Sequence, residues 1–342
     1  MRSSAVVTLV LVLICTESLA LQAPGRESQS SGYKLKVDVD SVFLNVSVRD
    51  RFNRSIAHLQ KDDFIVYEDG VLQEVHQFAS EETPFSTLLL LDNSGSTQPY
   101  LRLIKDAALE FTRRIRPNDE IAVVAFNSLV ELMSDFTDFR PRTQRAIERI
   151  ESIGGTALYD SLLICINRYM SDVGGRSAIV VFTDGYDNQL EGPNSEGSRT
   201  PFSEVYRRIQ EIEPVIYTIL LDSAPFITDR PASAASIPPG LGFPPPRRGT
   251  QRPTQRAMYE TARQQLYLIA EQTGGRMYYL TSLENLLPAY TEIAQDLSAR
   301  YVLAYNPTNG AHDGRWRQVR VQVKGRTDVA VRTRKGYYAT SH

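Results

Sequence analysis

Three short segments of the sequence combine carboxylates, hydroxyls and glycines in an order that suits a metal ion. The first is Asp92-Asn93-Ser94-Gly95-Ser96, which follows the apolar run Thr87–Leu91. The second is Gly154-Gly155-Thr156, and the third is Thr183-Asp184-Gly185, which follows the apolar run Ala178–Phe182. Carboxylate and hydroxyl oxygens are hard donors, which suit Mg²⁺, Mn²⁺ or Ca²⁺ and exclude a soft-metal site. The candidate metal ligands are Asp92, Ser94, Ser96, Thr156 and Asp184.

The spacing within the first segment has a physical reason. Asp92, Ser94 and Ser96 alternate along a turn, so their side chains can face one point while backbone amides face another. Gly95 permits the turn to fold closely over an ion. Because hydroxyls are neutral donors, an ion held mainly by them keeps part of its positive charge. Such an ion favours an anionic ligand from outside, and an exposed carboxylate on a partner protein would serve.

Other chemistries fit the sequence less well. None of the four histidines lies near the three segments, so a zinc site is not indicated. An aspartyl-phosphate enzyme would place a second carboxylate two residues after Asp92, where this chain has Ser94. No Ser-His-Asp order and no phosphate-binding glycine loop is present, so we predict no catalytic residues and no enzyme. An Mg²⁺-dependent hydrolase and a structural envelope protein with an unused metal site stay open as alternatives.

Single acidic residues near these segments have simpler interpretations. Asp92 alone could cap a helix, since Asp, Asn and Ser are favoured at that position. Asp160 is predicted in the first turns of a helix, where a carboxylate complements the helix dipole. Asp187, with Asn188, is predicted to lie in a surface turn. A position behind the metal ligands, supporting them indirectly, is the alternative for both acids. The metal interpretation therefore depends on the three segments occurring together and in order.

Hydrophobic patterning places the three segments on a sheet that alternates with helices. The runs Thr87–Leu91, Ile121–Phe126, Ala178–Phe182 and Val215–Leu221 are continuously apolar, as in strands buried on both faces of a parallel sheet. Amphipathic helical patterns separate these runs. The alternation predicts an α/β fold with a doubly wound, mostly parallel sheet. Such sheets bind ligands beyond the carboxyl ends of their strands, which is where the three segments lie.

Both flanks of the chain have period-two patterning, which is typical of half-buried antiparallel strands. In the first flank, Val71–Phe78 is predicted to be one strand after a tight turn at Glu68-Asp69-Gly70. The alternation returns after Tyr301, and Val329–Tyr338 is predicted to be another single strand. Each flank has too few strands to be stable alone. We therefore predict that the two flanks pair into one β-sandwich-like unit beside the α/β domain.

The predicted organisation has five consecutive parts and one insertion. The parts are a signal peptide (1–20), a disordered lead-in (21–32), a β flank (33–82), the α/β domain (84–299) and a C-terminal β flank (300–342). The insertion, residues 223–255, lies inside the α/β domain and is rich in proline. It is predicted to be a disordered surface loop, with a proline-rich recognition segment as the alternative.

The first 20 residues have the pattern of an export signal. Arg2 precedes the apolar run Ala5–Cys15, which is shorter than the roughly 20 residues that span a membrane, and Ser18-Leu19-Ala20 suits cleavage. An uncleaved anchor and lipidation at Cys15 are alternatives. Cleavage would leave Cys165, interpreted as a core residue, and exclude an intramolecular disulfide. We expect an exported protein, periplasmic, cell-surface or extracellular, with no integral membrane segment after cleavage.

The formal net charge of −2 indicates no nucleic-acid partner.

The order Asp-x-Ser-x-Ser, Gly-Gly-Thr and Thr-Asp-Gly resembles the metal-ion-dependent adhesion site of von Willebrand factor type A domains. The resemblance covers roughly residues 84–299 and includes every motif position. It implies that Ser94, Ser96 and Thr156 coordinate Mg²⁺ directly or nearly so, and that Asp92 and Asp184 often act through water. It also implies an adhesion or protein-binding module, in which an acidic side chain of a partner completes the coordination and the last helix of the domain moves.

The flanking segments resemble those of bacterial exported proteins that carry such a domain between short β flanks. The resemblance lies in Lys61-Asp62-Asp63-Phe64, Tyr67-Glu68-Asp69-Gly70, Tyr301-Val302-Leu303-Ala304-Tyr305 and Arg334-Lys335-Gly336-Tyr337-Tyr338. It implies little about mechanism.

Overall fold

The structure is a computed structural model that describes residues 41–80, 83–192, 195–222 and 255–339. The predicted signal peptide, the lead-in, residues 33–40 and residues 223–254 of the insertion lie outside the described residues. Within the described ranges the strands are β1 (Val42–Arg49), β2 (Phe64–Glu68), β3 (Val71–Gln73), β4 (Val75–Ala79), β5 (Ser86–Asp92), β6 (Glu120–Phe126), β7 (Val130–Ser134), β8 (Ser177–Thr183), β9 (Val215–Leu221), β10 (Met277–Leu280), β11 (Tyr301–Tyr305), β12 (Trp316–Val323), β13 (Ala330–Arg332) and β14 (Gly336–Tyr338). The helices are α1 (Leu101–Arg114), α2 (Arg140–Glu148), α3 (Leu158–Ile164), α4 (Phe202–Ile209), α5 (Gln255–Gln272) and α6 (Leu286–Ser298).

A central sheet carries the order β10-β9-β8-β5-β6-β7. Its neighbours pair in parallel except β7, which runs antiparallel to β6 at one edge. Helices α1, α2 and α6 pack on one face, and α3, α4 and α5 pack on the other. This arrangement confirms the predicted α/β fold with a doubly wound, mostly parallel sheet. None of the helices in the described part of the chain has the length and apolar character needed to cross a membrane.

The strand order reverses at β5, because the chain continues from β5 to β6 on one side and returns to β8 on the other. Strands β5 and β8 are in register, with Leu91 opposite Phe182. Asp92 and Thr183 therefore reach the same edge of the sheet side by side. In open α/β sheets, a crevice forms where the strand order reverses, at the carboxyl ends of the strands. The topology thus places the first and third predicted segments at this crevice.

Two four-stranded sheets, ordered β13-β1-β11-β4 and β14-β12-β2-β3, flank the central domain. Strand β1 of the first flank pairs antiparallel with β11 of the second, with Val46 opposite Tyr301. Strand β2 pairs with β12 in the same way. Apolar side chains from both sheets, among them Leu44, Val66 and Val321, form one buried cluster. The pairing confirms the predicted sandwich-like unit built from both flanks.

Two strand predictions in this unit were wrong in the same way. The segment Val71–Phe78 divides into β3 and β4, and Val329–Tyr338 divides into β13 and β14. In each pair, the two strands belong to different sheets: β4 and β13 to one, and β3 and β14 to the other. At the second break the buried Arg334 guanidinium donates to the carbonyl oxygens of Gly336 and Gln210. Alternation of side chains continues while the chain crosses between sheets, so the pattern alone does not reveal the break.

A buried polar cluster joins the sandwich to the central domain. Asp296 on α6 accepts hydrogen bonds from Ser47 Oγ at 2.7 Å and Arg49 Nη2 at 2.8 Å, both on β1. It also accepts from Arg300 Nη2 at 3.1 Å and from the Tyr217 hydroxyl on β9. The Arg300 side chain is completely buried. Helix α6 is therefore attached to the sandwich by charged groups that are almost completely buried.

The backbone after α5 passes very close to β9. A β-carbon added at Gly275 would lie 2.0 Å from the Ile216 carbonyl oxygen, so the strand would have to shift. We expect Gly275→Ala to lower the free energy of unfolding by about 1–3 kcal/mol, the usual range for overpacking. Guanidinium unfolding measures the change. Gly310→Ala is the control, because an added carbon there has nothing within 4 Å. Equal stability of the two variants would contradict the close approach.

Candidate metal centre

Two hydrogen bonds, one from the loop after β5 and one from the end of β8, hold Asp92 at the edge of the sheet. Asp92 Oδ1 accepts from the Ser94 amide at 2.9 Å, which turns the chain back over the end of the strand. Asp92 Oδ2 accepts from Thr183 Oγ1 at 2.6 Å. Because Thr183 is the last residue of β8, this second bond ties the ends of two neighbouring strands together. The Asp92 carboxylate is therefore buried and oriented within the fold.

The oxygens of Ser94, Ser96 and Asp184 lie in a continuous chain of short contacts. Ser94 Oγ lies 3.0 Å from Ser96 Oγ, and Ser96 Oγ donates to Asp184 Oδ1 at 2.9 Å. Neighbouring oxygen ligands of a divalent cation such as Mg²⁺ lie about 3 Å apart. The oxygen spacing is therefore compatible with a divalent cation at this edge. Without an ion, the same contacts are hydrogen bonds.

Thr156 is brought to the same edge by contacts between loops. The Gly95 amide donates to Gly154 O at 2.9 Å, which joins the Asp92 loop to the Gly154-Gly155-Thr156 loop. A β-carbon at Gly95 would lie 3.3 Å from that oxygen, so this close approach favours glycine. The Thr156 amide donates to Asn188 Oδ1 at 2.5 Å. Side-chain contacts thus join Ser94, Ser96 and Asp184. The Ser94 amide and the Thr183 hydroxyl hold Asp92 at the same edge, and Thr156 is held there through its loop and its own amide.

The two carboxylates of the candidate site are buried near each other. Burial raises the pKa of Asp184, and the nearby Asp92 charge raises it further, to about 7. Burial also raises the pKa of Asp92 and outweighs the hydrogen bonds from Ser94 and Thr183, which lower it; the charge of Asp187 adds a smaller increase. A cation at this edge would favour the charged form of both carboxylates.

The donor set depends on hydroxyls as well as carboxylates. Within the part of the chain that the structure describes, no group of three or more His, Cys, Asp or Glu side chains is arranged to hold a metal ion. The candidate ligands include only two acids, so they form a different kind of site, in which Ser and Thr oxygens supply the remaining donors. All of these oxygens are hard donors, and the residues present therefore fit Mg²⁺.

Supporting residues that the sequence did not single out fasten the loops around the site. Asn93 Nδ2 donates to Glu151 O at 2.6 Å, and the Ile153 amide donates to Asn93 O at 2.9 Å. The Ser152 hydroxyl donates to Ser94 O. These bonds connect the Asp92 loop to the loop that carries Thr156. Asn and Ser are common in every turn, so their residue types alone give no signal of this role.

Asp187 is completely buried, so the prediction of a surface turn was wrong. Its carboxylate accepts from the amides of Tyr159 (3.0 Å), Gln189 (2.9 Å) and Ser198 (2.8 Å), and from Ser198 Oγ (2.6 Å). Two of these donor residues are distant in the sequence, which explains why local patterning missed them. Asp160 lies in the first turn of α3, as predicted.

We expect Asp187→Asn to lower the free energy of unfolding by about 2 kcal/mol, since hydrogen bonds to a charged group are worth roughly 1.5–3 kcal/mol. The amide nitrogen of the new side chain would face N–H and O–H donors, whichever way it is turned. Urea unfolding measures the change, and Asp172→Asn is the control because Asp172 is exposed. If the two variants unfold at the same urea concentration, the role assigned to Asp187 is wrong.

Comparison with known proteins identifies a domain around this site. Residues 87–186 match the family model of the von Willebrand factor type A domain. A curated relative, an uncharacterized protein of Synechocystis sp., is 34% identical over 107 residues. That match covers 30% of this chain and 25% of the relative, so it spans a quarter of the relative's length.

Two solved structures are similar to this chain at low identity. One is the von Willebrand factor type A from Catenulispora acidiphila, with a TM-score of 0.45, 13% identity, and coverage of 85% of this chain and 71% of that one. The other is proximal thread matrix protein 1 from the mussel byssus, whose metal-ion-dependent adhesion site is occupied by zinc. It has a TM-score of 0.45, 15% identity, and coverage of 67% of this chain and 49% of that one. The family match thus assigns residues 87–186, which lie within the α/β fold and carry the Asp92 and Asp184 loops, to the von Willebrand factor type A domain.

Proposed function

We propose that this protein is a metal-dependent protein-binding module, in which Mg²⁺ at the carboxyl end of the sheet binds an acidic side chain of a partner. The observation that carries the proposal is the chain of contacts from Ser94 Oγ through Ser96 Oγ to Asp184 Oδ1. In this assignment Ser94, Ser96 and Thr156 hold the ion through their hydroxyls. Asp92 and Asp184 supply negative charge, directly or through water. Mn²⁺ and Ca²⁺ are alternative ions.

The candidate site offers the ion few anionic ligands from this chain. Both oxygens of Asp92 already accept hydrogen bonds, from the Ser94 amide and from Thr183 Oγ1, which keep this carboxylate turned toward the strand ends. The other donors except Asp184 are neutral hydroxyls. A divalent ion held in this way favours an additional carboxylate, which a partner supplies. Domains of this family commonly mediate protein–protein interaction, which supports an adhesion or binding role over catalysis.

The sequence of residues 1–20 supports a location for the proposed binding activity. Residues 1–20 combine Arg2, a short apolar run and small residues at the cleavage positions. We propose that the protein is exported and that the domain, over about residues 84–299, acts in the periplasm, on the cell surface or outside the cell.

A capture experiment tests the proposed function. Wild-type protein and Asp92→Asn are immobilised and exposed to an envelope extract of the source organism, with Mg²⁺ or with EDTA. We expect a partner that the wild type retains in Mg²⁺ and releases in EDTA, and that Asp92→Asn does not retain. Asp172→Asn, which changes an exposed acid, should behave as the wild type. Retention that EDTA leaves unchanged would contradict metal-dependent binding.

A further inference from the structure

A broad groove lies beside the candidate metal centre, on the side of the edge strand β7. Its walls are the turn at 127–129, the loop at 149–154 and the segment at 195–199, and its volume is about 1570 Å³. Pockets for small molecules usually have volumes of roughly 300–1000 Å³. A groove of this size therefore suits a segment of polypeptide better than a small molecule.

The groove shares a wall with the loops of the metal centre. Asn93 and Gly154 both line it. Asn93 precedes Ser94 in the chain, and Gly154 O accepts from the Gly95 amide at 2.9 Å. Ser128 Oγ, which also lines the groove, accepts from the Gly155 amide at 3.0 Å, so the turn before β7 is fastened to the same loop. A segment lying in the groove can therefore reach the edge where Ser94 and Ser96 lie.

Two large apolar side chains are exposed on these walls. Leu129 is 77% exposed and Ile153 is 69% exposed. Both stand on backbone that hydrogen bonds hold in place, because the Leu129 amide donates to Asn127 Oδ1 and the Ile153 amide donates to Asn93 O, each at 2.9 Å. Fixed backbone reduces the entropy that binding costs. Exposed apolar residues beside a polar anchor are typical of the centre of a protein interface.

The charged side chains of the groove are mainly acidic. Four carboxylates and two guanidinium groups line it, namely Glu131, Glu151, Asp160 and Glu196 with Arg149 and Arg199. Basic side chains on a partner would complement this balance and speed its association.

We propose that the groove binds an extended segment of a partner protein in which the metal-binding carboxylate is adjacent to an apolar side chain and accompanied by a basic one. The apolar side chain packs on Leu129 and Ile153, and the basic side chain lies among the groove carboxylates. This inference rests on the proposed function, because the metal centre anchors the segment.

Selection from a random peptide library tests the sequence of the bound segment. Phage-displayed peptides are selected on the immobilised wild-type protein in Mg²⁺ and eluted with EDTA. We expect the selected peptides to carry Asp or Glu within about two positions of a large apolar residue, since each extended residue spans about 3.3 Å. We also expect an excess of Lys or Arg. Selected peptides that lack a neighbouring apolar residue overturn the inference.

Affinities of the synthesised peptides test the surface itself. Combined replacement Leu129→Ser and Ile153→Ser should weaken peptide binding about tenfold or more, as for the central residues of an interface. Mg²⁺ affinity, measured by calorimetry, should stay unchanged. Both residues are exposed, so the variant should keep the thermal transition of the wild type. Leu72→Ser is the matched control, because Leu72 is 61% exposed on β3 of the sandwich.

The outcomes separate this inference from the proposed function. If the double variant binds the peptides with unchanged affinity and EDTA still abolishes binding, the groove is not the docking surface although the metal-dependent function stands. If the retained peptides all resist EDTA and are released only by acid, the proposed function itself is contradicted. A library that yields no EDTA-eluted peptide, while Mg²⁺ binding is measured by calorimetry, also overturns the inference.

Discussion

Replacement of Asp296 with asparagine is expected to lower the free energy of unfolding by about 3–5 kcal/mol, the range for breaking a buried ion pair. Asparagine retains the size of the side chain but not its charge. The guanidinium groups of Arg49 and Arg300, which contact the Asp296 oxygens at 2.8 and 3.1 Å, would remain buried without their anion. The asparagine nitrogen would also face donors, because Ser47 and Tyr217 both donate to this side chain.

The effect should depend on pH in a defined direction. Burial alone would raise the pKa of Asp296, but Arg300 and Arg49 outweigh it and hold the pKa well below its usual range. A carboxyl with a lowered pKa contributes stability above its unfolded value of about 4 and loses that contribution as the pH falls. The difference between the wild type and Asp296→Asn should therefore be complete at about pH 7 and should shrink below about pH 4.

Guanidinium unfolding at several pH values measures this prediction. Glu292→Gln is the matched control, because Glu292 lies on the same helix in a half-exposed pair with Arg276. Exposed pairs contribute little to stability, so we expect a small change there. Equal losses in the two variants would mean that the buried cluster does not attach α6 to the sandwich as described. Movement of α6 on ligand binding stays a prediction, and any such movement must carry β1 with it or break the contacts of Asp296.

Replacement of Asp92 with asparagine is expected to weaken Mg²⁺ binding by at least about 100-fold. Loss of a single residue that supports a metal ligand often costs 10–100-fold, and this change also removes a full negative charge. The fold should survive, because asparagine Oδ1 can still accept from the Ser94 amide. The Thr183 hydroxyl can reverse its role and accept from the new amide.

Isothermal titration of the metal-free proteins with Mg²⁺ measures the loss of affinity. Asp172→Asn, an exposed acid, serves as the control and should bind as the wild type does. If Asp92→Asn binds Mg²⁺ with an affinity within a few-fold of the wild-type value, Asp92 does not contribute to the metal site. Asp92 would then be only a buried hydrogen-bond acceptor at the end of β5.

The central sheet could be predicted from the sequence because strands that are buried on both faces are continuous runs of apolar residues. Leu88–Leu91 of β5 are at most 1% exposed, and this run contains only apolar residues. Four of the candidate donors could also be located, because Asp92, Ser94, Ser96 and Asp184 follow directly after two of these apolar runs. Because parallel strands end at the same edge of a sheet, these residues were expected to lie close together. The contacts among Ser94, Ser96 and Asp184 agree with this expectation.

The features that were missed depend on contacts between distant parts of the chain. Asp187 resembles a residue of any turn until Tyr159 and Ser198 donate to it. The breaks between β3 and β4 and between β13 and β14 are set by which sheet each segment joins. The exposure of Leu129 and Ile153 also depends on how two loops meet. Local patterning contains none of this information.

The central claim is that the edge formed by Ser94, Ser96 and Asp184 binds a divalent cation. Anomalous diffraction from crystals grown with Mn²⁺, which prefers the same oxygen ligands, tests it most directly. We expect one strong peak within about 2.5 Å of Ser94 Oγ and Ser96 Oγ, the range of such metal–oxygen bonds, and no such peak in crystals of Asp92→Asn. A peak elsewhere, or no peak at this edge of the wild-type protein, would contradict the claim.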